Sequence, residues 1–243
     1  MERMTKRQRR SLRDQDVLTE LNHVNTQKFN MRNITPKTAP QASAIHYFAQ
    51  GSNILLHGLA GTGKTFIGLY LAINEVLESR SKKVVVIRSA VPTRDVGFLP
   101  GTLKQKMEVY EMPYKQIANN LFKRGDAYDI LKNKDMLEFI STSYVRGTTL
   151  DNCIVVVDEI NNMTFHELDS VITRLGDNTQ LIMCGDYRQS DLQLNNDKAG
   201  LKQFMSIIDR MTMFERVEFG VHDIVRSALV KQYIIEKAEL GYV

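Results

Sequence analysis

Cysteine and histidine are scarce in this chain of 243 residues, which holds two of the first and five of the second. Cys153 and Cys184 share no C-x-x-C spacing and have no histidine cluster near them, so neither a disulfide framework nor a Cys/His metal site finds support. Both lie in or beside apolar, strand-like runs and read as buried, reduced thiols, which suits a cytoplasmic protein. No apolar run approaches the roughly 18 residues of a membrane span. No apolar stretch follows the charged start, which argues against a secretory signal. Internal repeats and low-complexity tracts are also missing.

Apolar residues make up 43% of the chain, ample for the interior of one large domain. The net charge of +4 is compatible with a polyanionic partner without demanding one. Much of it is concentrated at the start, in Arg3, Lys6, Arg7, Arg9, Arg10 and Arg13 against Glu2. Residues 1–33 are polar, with Leu12, Val17, Leu18 and Leu21 as the one apolar cluster, and read as a basic N-terminal extension to a domain over 34–243. The extension reads either as a solvated arm or as a nucleic-acid contact.

The domain is organised around Gly58-Leu59-Ala60-Gly61-Thr62-Gly63-Lys64-Thr65. An apolar run at 54–56 precedes it and a helical pattern over 66–76 follows, the strand-then-helix setting in which G-x-x-x-x-G-K-[ST] binds a nucleoside triphosphate. The glycines let successive N–H groups converge on phosphate oxygens, and the helix adds its positive end. Lys64 is expected to reach the β- and γ-phosphates, and the Thr65 hydroxyl to occupy one position on Mg²⁺.

A second stretch carries the complementary chemistry. Cys153-Ile154-Val155-Val156-Val157 is a buried strand ending in Asp158-Glu159, so two carboxylates stand at the carboxyl end of a central strand beside the phosphate loop. Asp158 is expected to hold Mg²⁺ and Glu159 to deprotonate the water that attacks the γ-phosphate. Further buried strands are expected at 84–87, 137–140 and 181–184, with a last one at 213–219. Helices are expected before the phosphate loop, over 102–134, from Phe165 to a stop at Gly176, around 201–208 and over 227–240. Tyr110, Met112, Tyr114 and Phe122 read as core. Strands alternating with helices give an α/β class, a mostly parallel sheet with helices on both faces.

Together with the Gly97-Phe98-Leu99-Pro100-Gly101 loop, Arg146-Gly147-Thr148-Thr149-Leu150, Gly185-Asp186 with Gln189, and Asp223-Ile224-Val225-Arg226, these motifs resemble the PhoH-like ATPases, relatives of superfamily 1 helicases. The resemblance spans about residues 35 to 235. It implies a three-layer RecA-like P-loop NTPase core that binds ATP with Mg²⁺, with a link to RNA metabolism and phosphate starvation. Carried over residue by residue, it assigns Gln41 to adenine, Gln189 to sensing the γ-phosphate and Arg226 to an arginine finger. Where the family usually has Asp-Glu-Ala-Gln-Asn, this chain has Asp158-Glu159-Ile160-Asn161-Asn162.

A superfamily 1 helicase closes ATP between two RecA-like domains, and this chain has room for one. If hydrolysis is fast, the finger, worth on the order of 10³ to 10⁵ in rate, must come from another copy. The expectation is a homo-oligomeric ring, a hexamer being one form, with Arg226, or failing it Arg174 or Arg146, reaching the neighbour's site. Two functional classes lead: a motor on single-stranded RNA or DNA that uses the Arg94 loop and the basic arm, and an ATP-dependent switch or scaffold without helicase activity. A small-molecule kinase fits less well, because Glu159 beside Asp158 suits water better than a metabolite hydroxyl.

Overall fold

The computed structural model describes residues 29–89, 103–186 and 195–241, without the side chains of 103–106 and 195–199. The arm up to residue 28, the Arg94 loop with its Phe-Leu-Pro-Gly segment, and Gln189 lie outside the described residues. The chain divides into Met1–Arg32 and Asn33–Val243, and the fold belongs to the second unit.

Its strands are β1 (Asn53–Gly58), β2 (Lys83–Arg88), β3 (Leu137–Ser141), β4 (Cys153–Asp158), β5 (Gln180–Gly185) and β6 (Phe214–Phe219). They form one sheet in the order β3-β2-β4-β5-β1-β6, parallel at every pairing. Connecting them are α1 (Ala39–Ala49), α2 (Lys64–Leu77), α3 (Leu103–Phe122), α4 (Ala127–Asn133), α5 (Phe165–Ile172), α6 (Asn195–Ile208) and α7 (Ala228–Glu239). Four-residue apolar runs such as Val84 to Ile87 are what a parallel strand covered on both faces requires, and all four of those residues are buried.

Side chains alternate across the sheet. One set, including Leu55, Val85, Val155, Val157 and Met183, packs with Leu168 and Val171 of α5 and with Leu201, Phe204 and Ile208 of α6. The other set faces α2. Gly68 lets that helix settle onto Ile182 and Cys184, since a Cβ there would lie 3.1 Å and 3.3 Å from their side chains. Helix, sheet and helix thus form the three layers.

The parity also fixes chemistry. Arg88 and Asp158 end β2 and β4 as register partners, in phase with Val86 and Val156, so both turn toward the α2 layer. β5 separates β1 from β4, so the carboxylate strand is one strand removed from the phosphate-loop strand.

Two expected elements differ. The helix over 102–134 is two helices, α3 and α4, because Asn119 folds the intervening turn: its amide donates to Gly125 O at 2.7 Å and accepts from Tyr128 N at 3.1 Å. Helix α5 ends at Ile172, short of Gly176. Thr173 Oγ1 donates to Asp169 O at 2.8 Å, and Leu175 bridges to Leu150. Gly176 is needed for a different reason, since a Cβ there would lie 1.8 Å from Asp151 Oδ1. Cys153 and Cys184 are buried and free, as read from their apolar runs. No helix among the described residues is long and apolar enough to cross a membrane.

Candidate nucleotide site

Strand β1 ends at Gly58 with φ 118°, where a Cβ would lie 2.1 Å from Phe219 O. Only glycine lets the loop leave the sheet there, and Leu59 N then donates to Phe219 O at 3.1 Å. Inside the loop, Thr62 Oγ1 donates to Leu59 O at 2.9 Å. Gly63, in the left-handed region at φ 87°, caps α2. Among the described residues the N–H groups of Ala60, Gly61, Thr62 and Gly63 donate to no other protein group. Four consecutive unused donors before the positive end of a 14-residue helix are the makings of an anion cradle.

Gln41, from α1, is buried at 4% exposure. Its Nε2 donates to Thr62 O at 2.9 Å, and its Oε1 accepts from Lys37 N at 2.8 Å. Both ends of the amide are therefore engaged, one of them in bracing the phosphate loop. Lys64 Nζ folds back across the same loop, donating to Gly58 O at 2.7 Å and Leu59 O at 2.8 Å. Burial pulls its pKa below the ordinary lysine value, against the raising effect of Asp186, Cys184, Glu159 and Asp158.

Although β5 intervenes, α2 brings Thr65 to the carboxylate strand. Thr65 Oγ1 donates to Asp158 Oδ1 at 2.9 Å, and the Tyr114 hydroxyl donates to Oδ2 at 2.9 Å. Burial raises the pKa of Asp158, while these two bonds and Arg88 oppose the rise. Glu159 is raised by burial and then by Asp158, against Arg88 and Lys64, as suits a general base. Its backbone is left-handed at φ 55°, ψ 45°, a conformation costing of order 1–3 kcal/mol in a non-glycine residue and common where a site aims a side chain.

The turn after Glu159 also governs β5. Asn161 Oδ1 accepts from Asp186 N at 3.1 Å, and a Cβ on Gly185 would lie 2.5 Å from Ile160 Cγ1. Asn161 thus holds the backbone at Asp186, just past the end of β5.

Mg²⁺ fits this donor set. The Thr65 hydroxyl spends its proton on Asp158 and keeps its lone pairs, and a buried carboxylate stands beside it. No group of three or more His, Cys, Asp or Glu gathers among the described residues. A pair of oxygen ligands near a phosphate cradle matches an ion held chiefly by phosphates and water.

Arg226 stands at the phosphate loop of its own chain. Val225 N donates to Gly61 O at 3.0 Å, and a Cβ on Gly61 would lie 3.0 Å from Arg226 Cγ and 3.7 Å from its Nε. Asp223 accepts instead from Gly220 N at 2.8 Å, and no Arg226–Asp223 ion pair occurs among the described residues. The structure therefore gathers Gln41, the Gly58 to Thr65 loop, Asp158, Glu159 and Arg226 at one end of the sheet.

Two residues of this centre carry no signal in the sequence. Tyr114 reads as core bulk, and it is fully buried, yet its hydroxyl meets Asp158. Arg88 is the charged end of an apolar strand, and its position opposite Asp158 emerges only from the register. Glu167 is a third structural carboxylate, accepting from Ser89 Oγ at 2.9 Å and Thr142 Oγ1 at 2.5 Å while closing a capping box with Thr164.

A family model described as PhoH-like protein matches residues 33–238. PhoH-like proteins of Synechocystis and Bacillus subtilis are 34% and 31% identical, over 85% and 84% of this chain. The chain covers 62% and 63% of their lengths. Among solved structures, the large terminase of a thermophilic bacteriophage in complex with ADP superposes with a TM-score of 0.52 at 10% identity. That match covers 81% of this chain and 48% of the terminase, a likeness of fold.

Proposed function

This chain belongs to the family of PhoH-like proteins, and from that premise we propose that it is a Mg²⁺-dependent ATPase working on single-stranded nucleic acid, RNA ahead of DNA, as a homo-oligomer. The observation that carries the ATPase reading is the joining of the two motifs, Thr65 Oγ1 to Asp158 Oδ1 at 2.9 Å with Glu159 next in the chain.

The chemistry follows from the residues. Unused N–H groups of the loop receive the β- and γ-phosphates, and Lys64 exchanges the carbonyls of Gly58 and Leu59 for phosphate oxygens. Glu159 takes a proton from a water whose oxygen bonds to the γ-phosphorus, the bond from that phosphorus to the bridging oxygen breaks, and ADP and inorganic phosphate result. When bound by Thr65 and Asp158, Mg²⁺ would neutralise charge on the phosphate oxygens. The packing of Arg226 beside Gly61 of its own loop supports a reading in which it serves its own nucleotide as well as the one in which it reaches a neighbour's. For reaching a neighbour's site the candidates are Arg226 and, behind it, Arg174 and Arg146, all three exposed.

ATP turnover tests the reading when measured alone, with single-stranded RNA, and with single-stranded DNA. Stimulation by RNA that fades as salt rises supports the motor. Equal basal turnover in all three sinks the nucleic-acid part and leaves an ATP-dependent switch. Mass measurement of the assembly with and without ATP checks the oligomer.

A further inference from the structure

Both oxygens of the Asp158 carboxylate are held by hydroxyl groups, and only one of those groups belongs to the phosphate-binding motif. Thr65 occupies Oδ1, and Tyr114, 44 residues earlier in the chain and fully buried, occupies Oδ2 at 2.9 Å. The phenol is held above its ordinary pKa by burial first and then by Asp158, so it remains a donor.

Tyr114 does not act alone on its helix. Tyr110 lies four residues earlier on α3, one turn away on the same side. The Arg88 guanidinium sits over the Tyr110 ring, 5.8 Å from its centroid. Arg88 and Asp158 are register partners at the ends of β2 and β4. One turn of α3 therefore meets both ends of this strand pair: Tyr110 lays its aromatic face on the cation, and the Tyr114 hydroxyl donates to the anion while also bonding the Arg88 guanidinium. Packing fixes the ring independently of the hydroxyl, with the Phe139 centroid 5.6 Å away. A phenylalanine would fill that space equally well, so packing leaves the hydroxyl unexplained.

We propose that Tyr114 is a positioning residue of the nucleotide site: its hydroxyl fixes the orientation in which Asp158 meets a phosphate-bound divalent cation, and so ties α3 to that cation. The inference rests on the nucleotide reading above. With Thr65 alone, the carboxylate could rotate about a single hydrogen bond. With Tyr114 as well, its plane is set by two donors on different helices. Partners of this kind behind a metal ligand are commonly worth about 10-fold or more in metal affinity.

The test is a Mg²⁺ titration of a fluorescent ADP analogue on the full chain, compared between wild type and Tyr114→Phe. The variant is expected to need roughly ten-fold more Mg²⁺ for half-maximal tightening, with unchanged affinity in EDTA. Phe139→Leu serves as the packing control, lowering the melting temperature with no change in the Mg²⁺ requirement. Equal Mg²⁺ midpoints for wild type and Tyr114→Phe, or an equal shift in Phe139→Leu, overturn the proposal and leave the nucleotide reading intact. Wild-type protein that binds no analogue at any Mg²⁺ concentration overturns both. Should Tyr114→Phe fail to fold, 3-fluorotyrosine placed at position 114 keeps the shape and the hydroxyl. Its fluorine resonance is expected to move when Mg²⁺ is added to the ADP-bound protein, and a stationary resonance overturns the proposal.

Discussion

The two walls of the nucleotide site are built differently. The inner wall, made of Lys64, Thr65, Tyr114 and Asp158, is largely buried, and every one of these polar groups is held by a specific hydrogen bond. The outer wall is Val225, Arg226 and α7. It touches the loop through one backbone bond at Gly61 and through side-chain packing, and α7 buries none of its residues. Leu229 is 78% exposed and Tyr233 68%. The inner wall is preorganised at the expense of desolvating charge. The outer wall leaves its arginine exposed to water.

The contrast can be broken in graded ways. Arg226→Ala is expected to slow ATP turnover on the order of 10³-fold while leaving ATP affinity nearly intact. Lys64→Ala is expected to cost roughly 10²- to 10³-fold in turnover, with weaker ATP binding as well. Mixing the two variants sharpens the comparison. An arginine serving its own chain gives no rescue at any ratio, whereas recovered turnover shows that it crosses to a neighbour.

Smaller effects separate stability from chemistry. Glu167 has its pKa held below the ordinary glutamate value: burial would raise it, but bonds from Thr142, Thr164 and Ser89 prevail. A depressed carboxylate contributes stability above its unfolded pKa, near 4.5, and loses it as pH falls through the lower folded value. Glu167→Gln should therefore destabilise the domain at pH 7 by about 1 kcal/mol, discounted for the half-exposed carboxylate, a gap in melting free energy that closes below about pH 4.5. At the outer wall, Leu229→Ser with Tyr233→Ser should change stability by less than about 0.5 kcal/mol. A large loss would show that α7 is structurally committed rather than loosely seated.

The same division explains what could be read from the sequence. Phosphate binding needs contiguous backbone donors, so Gly58 to Thr65 announces itself, and a doubly covered strand ending in two acids is nearly as plain at Cys153 to Glu159. Tyr114 stays hidden because its partner lies 44 residues away and its neighbours on α3 look like packing residues. Arg88 stays hidden because strand register is invisible in one dimension. The break between α3 and α4 depends on one asparagine side chain, and Gly176 imitates a helix stop because close approach to Asp151 leaves no periodic signal.

The proposed hydrolysis, in which water cuts the γ-phosphate at Lys64, Asp158 and Glu159, is tested most directly by turnover of Mg·ATP in H₂¹⁸O, run on wild type and Glu159→Gln. The expected result is one ¹⁸O in each phosphate released by the wild type, with Glu159→Gln still binding ATP but releasing phosphate on the order of 10²- to 10⁴-fold more slowly. Wild-type protein that neither binds ATP nor releases labelled phosphate, or a Glu159→Gln variant as fast as the wild type, would contradict it.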